Sequence, residues 1–76
     1  MQIFIKNLEG KTQPYEVESS TTIYEVNQLI YQRWGIPPEV QLIIYGGILL
    51  EADKTLDDYN IQDNSTLAFV IRMRGD

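Results

Sequence analysis

The side chains best suited to acid–base chemistry in this chain are carboxylates, because its 76 residues include neither histidine nor cysteine. The carboxylates that lie close together in the sequence are Asp57 with Asp58 and Glu51 with Asp53. The commonest general base, the strongest nucleophile and the imidazole and thiolate metal ligands are therefore missing. Acidic residues near turns more often stabilise turns and helix N-termini than act as an acid and base pair. We expect no enzymatic activity, no metal site and no cofactor.

Composition narrows the classes of partner further. The formal net charge is −5, and the sequence has no basic cluster beyond Arg72 and Arg74, so neither nucleic acid nor an anionic membrane is expected as a partner. The sequence contains no apolar run long enough to span a bilayer and no leader pattern. It does not indicate a compartment, although we would expect a natural chain of this kind in the cytoplasm. Its length predicts a single domain over residues 1–76.

The first third of the chain has the pattern of a β-hairpin. Residues 1–6 alternate in polarity, which is the period of a strand. Residues 7–10 contain a glycine and are typical of a hairpin loop. In the strand expected next, Tyr15 and Val17 face the core, and Pro14 restricts that strand to the edge of a sheet because proline donates no backbone hydrogen bond.

A helix is predicted after the hairpin. Thr22 and Glu25 have the spacing of a capping box, in which each side chain bonds to the other residue's backbone N–H. The helix should continue to about Trp34, and Gly35 should cap it in the left-handed conformation. Three apolar residues recur at helical spacing and predict its buried stripe: Ile23, Val26 and Ile30.

The second half of the chain predicts three more strands. Residues 40–45 form an apolar strand, the glycine pair at 46–47 is a two-residue turn, and residues 48–49 are a short strand. A helical turn near residues 56–59 and a last strand over residues 66–72 follow. One helix across a mixed sheet, with the last strand parallel to the first, is the simplest α+β arrangement that buries the apolar residues together. The expected core contains Ile3, Val17, Val26, Ile30, Ile43, Leu50, Leu56, Ile61, Leu67 and Phe69.

Several motifs in these elements resemble the ubiquitin family, over the whole chain and without a gap. They are Met1-Gln2-Ile3-Phe4, Gly10-Lys11-Thr12, Gly35-Ile36-Pro37-Pro38, Thr55-Leu56, Asp58-Tyr59-Asn60-Ile61-Gln62 and Ser65-Thr66-Leu67. The resemblance implies a ubiquitin-like β-grasp, with a mixed five-stranded sheet and one main helix packed across it.

The resemblance also implies what the C-terminal segment should do. In ubiquitin the chain ends in two glycines, and the terminal carboxylate is adenylated and then passed on as a thioester. Here the segment that would form this tail is Arg72, Arg74, Gly75 and Asp76, so aspartate replaces the final glycine. Its side chain adds bulk and negative charge beside the reacting carboxylate, and we expect conjugation to be lost. The alternative is a protein modifier attached to target lysines, with a tail that is trimmed or extended in a precursor.

The lysines that accept further modifiers in ubiquitin are mostly absent as well. Lys6 and Lys11 match, whereas the other acceptor positions hold Asn27, Leu29, Arg33, Ile48 and Asp63. Residues that the backbone requires are kept while these functional positions are not. This pattern is what a sequence chosen to fit a fixed ubiquitin backbone would show. A diverged natural relative is the competing interpretation.

The resemblance finally implies an apolar interaction patch on the sheet. Leu8, Ile44 and Val70 match the residues with which ubiquitin binds its receptors. Ala68 replaces a histidine, and the polar or charged surroundings are replaced by Leu42, Ile48 and Leu49. Exposed apolar surface of this size usually marks an interface. A receptor-binding face and strand hydrophobicity without a partner are both open, and we expect a monomer whose patch permits weak self-association.

Aromatic residues on the predicted helix have two interpretations. Tyr24, Tyr31 and Trp34 fall outside the buried stripe, so they could form a second contact surface. More often, residues of this kind cover the edges of the core and raise local packing.

Overall fold

The computed structural model describes residues 1–72 and has the predicted α+β architecture. Five strands and one main helix follow one another in the order β1, β2, α1, β3, β4, β5. Their bounds are Gln2–Lys6 (β1), Thr12–Glu16 (β2), Ile23–Trp34 (α1), Gln41–Tyr45 (β3), Ile48–Leu49 (β4) and Thr66–Ile71 (β5). Two 3₁₀ turns, Pro38–Val40 and Asp57–Tyr59, lie between these elements.

The five strands form one mixed sheet in the order β2-β1-β5-β3-β4. β5 lies between β1 and β3, parallel to β1 and antiparallel to β3. This confirms the predicted pairing of the last strand with the first. β2 is an edge strand, where Pro14 lies opposite Phe4 and its missing N–H disrupts no outer neighbour. The short β4 closes the other edge through the Gly46-Gly47 turn, in which both glycines have positive φ, 59° and 80°.

The ends of α1 are fixed by the residues that the sequence indicated. The Thr22 side chain accepts from the Glu25 N–H at 3.1 Å, and the Glu25 carboxylate accepts from the Thr22 N–H at 2.9 Å. These reciprocal bonds satisfy two N–H groups that the first helical turn leaves free. At the other end Gly35 has φ 71° and donates its N–H to Tyr31 O at 2.8 Å.

The core lies between α1 and one face of the sheet and includes all ten residues predicted for it. Its buried apolar members are Ile3, Ile5, Tyr15, Val17, Ile23, Val26, Ile30, Ile43, Leu50, Leu56, Ile61, Leu67 and Phe69. Trp34 packs against the edge of this core, with its ring centroid 5.0 Å from that of Phe69. Trp34 therefore covers the core, whereas Tyr24 and Tyr31 stay exposed.

Four predicted boundaries differ from the structure by one residue. β1 begins at Gln2 rather than at residue 1. Val40 closes the 3₁₀ turn by donating its N–H to Pro37 O, so β3 begins at Gln41 rather than at residue 40. β5 ends at Ile71, although Arg72 still donates its N–H to Val40 O at 2.6 Å. The helical turn expected near 56–59 is a 3₁₀ turn, Asp57–Tyr59. Such ends depend on single hydrogen bonds that sequence periodicity does not encode.

Tyr15 connects the edge strand β2 to α1. The Arg33 guanidinium lies 4.3 Å from the centroid of the Tyr15 ring and donates to Gln13 Oε1 and Pro14 O, both at 3.0 Å. The buried Tyr15 hydroxyl has no hydrogen-bond partner within residues 1–72. Burial raises the pKa of Tyr15, and the nearby Arg33 opposes part of that rise without reaching hydrogen-bond geometry at the hydroxyl. Tyr15 is therefore neutral, and the Arg33 guanidinium is hydrogen-bonded to residues of β2.

An Asp58→Asn variant tests the turn that contains Asp58. The Asp58 carboxylate accepts from the Thr55 N–H at 2.9 Å, and Thr55 Oγ1 accepts from the Asp58 N–H at 3.1 Å. The bond from the Thr55 N–H, followed by the contribution of the Thr55 hydroxyl, holds the pKa of the Asp58 carboxyl below its usual value. Because the pKa of this carboxyl is lower in the folded state than in the unfolded state, its ionisation stabilises the fold at pH values above the unfolded-state pKa. This stabilisation is lost as the pH falls through the folded-state pKa.

We therefore expect Asp58→Asn to lower the denaturation midpoint at pH 7 and to lose that difference well below about pH 4, where carboxyl groups protonate. Chemical denaturation at pH 7 and pH 2 measures both quantities. Asp57→Asn is the matched control, because no side-chain hydrogen bond is formed by Asp57 within residues 1–72. An equal loss at both pH values would exclude the carboxylate as the cause.

Candidate interaction surface

Apolar side chains line the face of the sheet that α1 does not cover. On β3 and β5 the buried residues Ile43 and Phe69 alternate with the half-buried Leu42, Ile44, Ala68 and Val70. Since successive side chains of a strand point to opposite faces, these four share the outer face. The register places Leu42 opposite Val70, and Ile44 opposite both Ala68 and Leu49. We call Leu42, Ile44, Leu49, Ala68 and Val70 the outer-sheet patch.

The outer-sheet patch is continuous across three strands. Leu49 on β4 is 53% exposed, and its pairing with Ile44 continues the row Leu49–Ile44–Ala68 from the sheet edge inward. Directly opposite residues on neighbouring strands are close enough for their side chains to contact each other, so each member of this row can contact the next. None of the patch residues is polar, so their side chains place no hydrogen-bonding group there. Such a surface can bind apolar side chains of a partner but has no group with which to perform chemistry.

Two residues expected in the patch lie elsewhere. Ile48 is 58% exposed but pairs with Tyr45, so strand alternation assigns it to the side of Ile43 rather than to that of Ile44. Leu8 is 61% exposed in the β1–β2 turn and lines a groove of about 250 Å³ with Trp34, Ile36 and Ile71. Of the seven residues predicted for the patch, five therefore lie on one face of the sheet. Ile48 lies at the end of the β3–β4 hairpin, and Leu8 lies beside a separate groove.

The turn that holds Leu8 is stabilised by Asn7. The Asn7 side-chain oxygen accepts from the N–H groups of Glu9 and Lys11 at 2.9 and 3.0 Å. Asparagine commonly organises turns through such local bonds. Leu8 is thus held on a defined turn with its side chain largely in solvent.

Charged groups border the outer-sheet patch at two ends. Lys6 is exposed and lies opposite Ala68 across the β1–β5 pairing. At the other border, Arg72, Glu51 and Asp53 line an open cleft of about 590 Å³ together with Leu42 and Leu49. The border is therefore positive beside Ala68 and of mixed charge beside Leu42.

Two of the residues singled out in the sequence for their carboxylates form local hydrogen bonds. Asp58 is used in the turn with Thr55. Glu51 donates its backbone N–H to the Tyr59 hydroxyl at 2.8 Å, which ties the loop after β4 to the 3₁₀ turn Asp57–Tyr59. Within residues 1–72 no group of three or more acidic, histidine or cysteine side chains could hold a metal ion. No helix in this part of the chain is long and apolar enough to cross a membrane.

A buried polar pair beneath the sheet was not anticipated. Asn27 Nδ2 donates to Gln41 Oε1 at 2.9 Å, and Gln41 Nε2 donates to Asn27 O at 3.1 Å and to Ile36 O at 2.7 Å. Both side chains are 7% exposed. Asn27 lies four residues after Ile23 and three before Ile30, so its position on the buried stripe was the available signal. The pair ties α1 to β3, the strand that carries Ile44.

Of the four candidate tail residues, only Arg72 lies within the described residues. Arg72 is exposed just after β5. Arg74, Gly75 and Asp76 lie outside the described residues, so their role stays a prediction from sequence.

Comparisons with known proteins agree with this fold. The ubiquitin family model matches residues 3–74. The NEDD8-like protein RUB3 of Arabidopsis thaliana is 37% identical over 75 residues, which cover 99% of this chain and 96% of that protein. The ubiquitin-like protein NEDD8 of Dictyostelium discoideum is 32% identical over 75 residues, covering 99% and 97% of the two chains.

A longer relative contains a similar segment. The probable ubiquitin receptor RAD23 of Oryza sativa subsp. japonica is 35% identical over 75 residues, which cover 95% of this chain but 19% of that protein. Similar sequences thus occur both as nearly whole small proteins and as part of a larger one. The match over residues 3–74 and the β-grasp sheet together show that this chain belongs to the ubiquitin family.

Proposed function

We propose that this chain is a protein-interaction domain that binds the apolar face of an amphipathic helix, of the kind ubiquitin receptors present, and that it is not conjugated to targets. The observation that carries the proposal is the unbroken apolar row Leu49–Ile44–Ala68 on a sheet face that α1 leaves open. Leu42 and Val70 extend this row by a second cross-strand pair.

An apolar helix suits this surface physically. The side chains that a helix presents every three to four residues form a narrow apolar stripe, and the outer-sheet patch offers a complementary band two residue pairs wide. Burying apolar area yields about 25 cal/mol per Å², so a few well-placed side chains provide most of the affinity. Lys6, next to Ala68, favours an acidic residue at one end of the bound helix.

The sequence of the tail supports the second half of the proposal. Aspartate occupies position 76, where the resemblance places the final glycine of ubiquitin, so residues 75–76 are not a pair of glycines. A modifier function is the second candidate, and it is supported by the NEDD8-like relatives that match over nearly their whole length. The RAD23 relative, in which the similar segment is part of a longer protein, supports the interaction domain instead.

The pattern of retained residues also supports an interpretation of origin. Turn and cap residues such as Gly35 and Asn60 are present and take left-handed conformations. Most acceptor lysines, Lys6 and Lys11 excepted, and the final glycine are absent from the positions where the family uses them. We therefore interpret the chain as a redesigned or strongly diverged sequence in which the backbone requirements of the fold were kept.

An Ile44→Ala variant tests the binding surface. We expect it to weaken binding to a fluorescently labelled ubiquitin-binding helix about tenfold or more, because Ile44 is the centre of the row and contacts both neighbouring strands. Fluorescence anisotropy gives the two dissociation constants. Tyr31→Ala is the matched control, since Tyr31 is an exposed large side chain on the opposite side of the molecule. Equal affinities for Ile44→Ala and the parent protein would contradict the proposal.

A further inference from the structure

Two exposed tyrosines on α1 flank a groove that lies away from the outer-sheet patch. Tyr24 is 55% and Tyr31 is 46% exposed, although large aromatic side chains are usually well covered. Both line a groove of about 460 Å³ between α1 and two other segments, the 3₁₀ turn that contains Pro38 and Glu39 and the loop that contains Ala52. Because the other side of α1 packs on the sheet, this groove faces away from Ile44.

The spacing of the two tyrosines matches an extended left-handed helix. Tyr31 follows Tyr24 by seven positions, which corresponds to a rise of about 10.5 Å along an α-helix. One turn of polyproline II is three residues and rises about 9 Å. Two tyrosine rings at this spacing can therefore contact successive ridges of one polyproline II segment, as aromatic-lined grooves do in proline-recognition domains.

The polar groups of the groove also suit a proline-rich ligand. Proline residues have carbonyl acceptors but no N–H donor. The two tyrosine hydroxyls and the Gln28 side-chain amide, which also lines the groove, can donate to such carbonyls. The half-buried Gln28 lies between the tyrosines in sequence and is well placed to contact the backbone of the segment.

The charge around the groove determines the flanking residue of the ligand. Glu39 lines the groove, and Glu51 and Asp53 flank Ala52 in the chain. Of the nearby cations, Arg33 donates to Gln13 and Pro14. Arg72 lines the neighbouring cleft with Glu51 and Asp53, so Glu39 is the acidic side chain that lines this groove itself. An acidic rim of this kind favours a basic residue on the partner.

From these observations we propose that the Tyr24–Tyr31 groove binds a proline-rich protein segment in the polyproline II conformation, with a lysine or arginine at the end that meets Glu39. The tyrosine rings hold the prolines, Gln28 and the hydroxyls bind the carbonyls, and Glu39 sets the direction of the chain. This site is independent of the outer-sheet patch and of conjugation, so it stands or fails separately from the proposed function.

Titration of the ¹⁵N-labelled protein with a synthetic peptide tests the site. The peptide has one arginine followed by two Pro-x-x-Pro repeats. Its controls are a scrambled peptide of equal composition with the prolines dispersed, and a peptide in which glutamate replaces the arginine. We expect amide shifts confined to the vicinity of Tyr24, Tyr31 and Ala52, with weaker binding of both control peptides.

Variants identify the groups responsible. Tyr24→Ala and Tyr31→Ala should each weaken binding at least about fivefold, as expected for aromatic anchors. Glu39→Gln should weaken binding of the arginine peptide about twofold to fivefold. It should not weaken binding of the peptide in which glutamate replaces the arginine. Glu9→Gln, at another exposed site, should change neither, and thermal melting verifies that each variant is folded.

Three results would overturn the proposal. The first is the absence of amide shifts with the arginine peptide at millimolar concentration. The second is equal binding of the scrambled peptide, which would mean that polyproline II geometry is not recognised. The third is a shift map centred on Ile44 rather than on Tyr24 and Tyr31, which would assign the peptide to the outer-sheet patch.

Discussion

Protein prepared as residues 1–76 is expected to form no thioester with the activating enzymes of ubiquitin and of NEDD8, whereas its Asp76→Gly variant is expected to be charged. A terminal glycine has no Cβ, which lets its carboxylate pass through a narrow channel to the reacting phosphate. Asp76 adds a second carboxylate, whose carbon is three bonds from that of the first, and its charge and bulk oppose adenylation of the terminal group. A gel-shift thioester assay with ATP measures both proteins directly.

Two further variants separate the charge of Asp76 from its size. Asp76→Asn keeps the bulk and removes the charge, and Asp76→Ala reduces both, so their order of reactivity identifies the dominant obstacle. We expect the order glycine, alanine, asparagine, aspartate. Ready charging of the parent protein would contradict the loss of conjugation. Failure of Asp76→Gly would show that substitutions on the folded surface also prevent recognition by the activating enzymes.

A Gln41→Leu substitution is expected to destabilise the fold by about 2–4 kcal/mol. It leaves the Asn27 amide and the carbonyls of Asn27 and Ile36 without the bonds that Gln41 forms. A buried polar group left unpaired costs about 1–3 kcal/mol, and the added apolar burial of leucine offsets part of that. For a domain whose whole stability is about 5–15 kcal/mol, this loss is large.

Guanidinium denaturation gives the free energies of unfolding for this comparison. Gln32→Leu is the matched control, because Gln32 lies exposed on α1 and its change should stay within about 0.5 kcal/mol. The variant Asn27→Leu combined with Gln41→Leu should lose less than the sum of the two single changes, since the residues share a bond. A Gln41→Leu protein as stable as the parent would show that the buried pair is not a link between α1 and β3.

Local sequence signals predicted the elements well because their causes are local. The Thr22–Glu25 box, the Gly35 cap and the Gly46-Gly47 turn each depend on bonds or φ angles within a few residues. The period of two along β1 and β5 likewise identified which side chains are buried. With these elements given, the resemblance to the ubiquitin family supplied the sheet order.

The features that sequence reasoning missed depend on contacts between distant residues. The Asn27–Gln41 pair joins positions 14 residues apart. Periodicity indicates that each side chain faces the core, but it does not indicate that the two side chains contact each other. Leu8 and Ile48 were grouped with Ile44 by family position, whereas turn geometry and strand register assign them to other surroundings. The tyrosine groove requires α1 to lie beside Glu39 and Ala52, which only the folded chain brings together.

The central claim is that the outer-sheet patch is a binding face for an apolar helix. Titration of the ¹⁵N-labelled protein with a ubiquitin-binding helix, followed by two-dimensional NMR, tests it most directly. We expect saturable amide shifts at Leu42, Ile44, Ala68 and Val70, with Tyr24 and Tyr31 unchanged. Unchanged patch signals at high helix excess, or shifts centred on another surface, would contradict the claim.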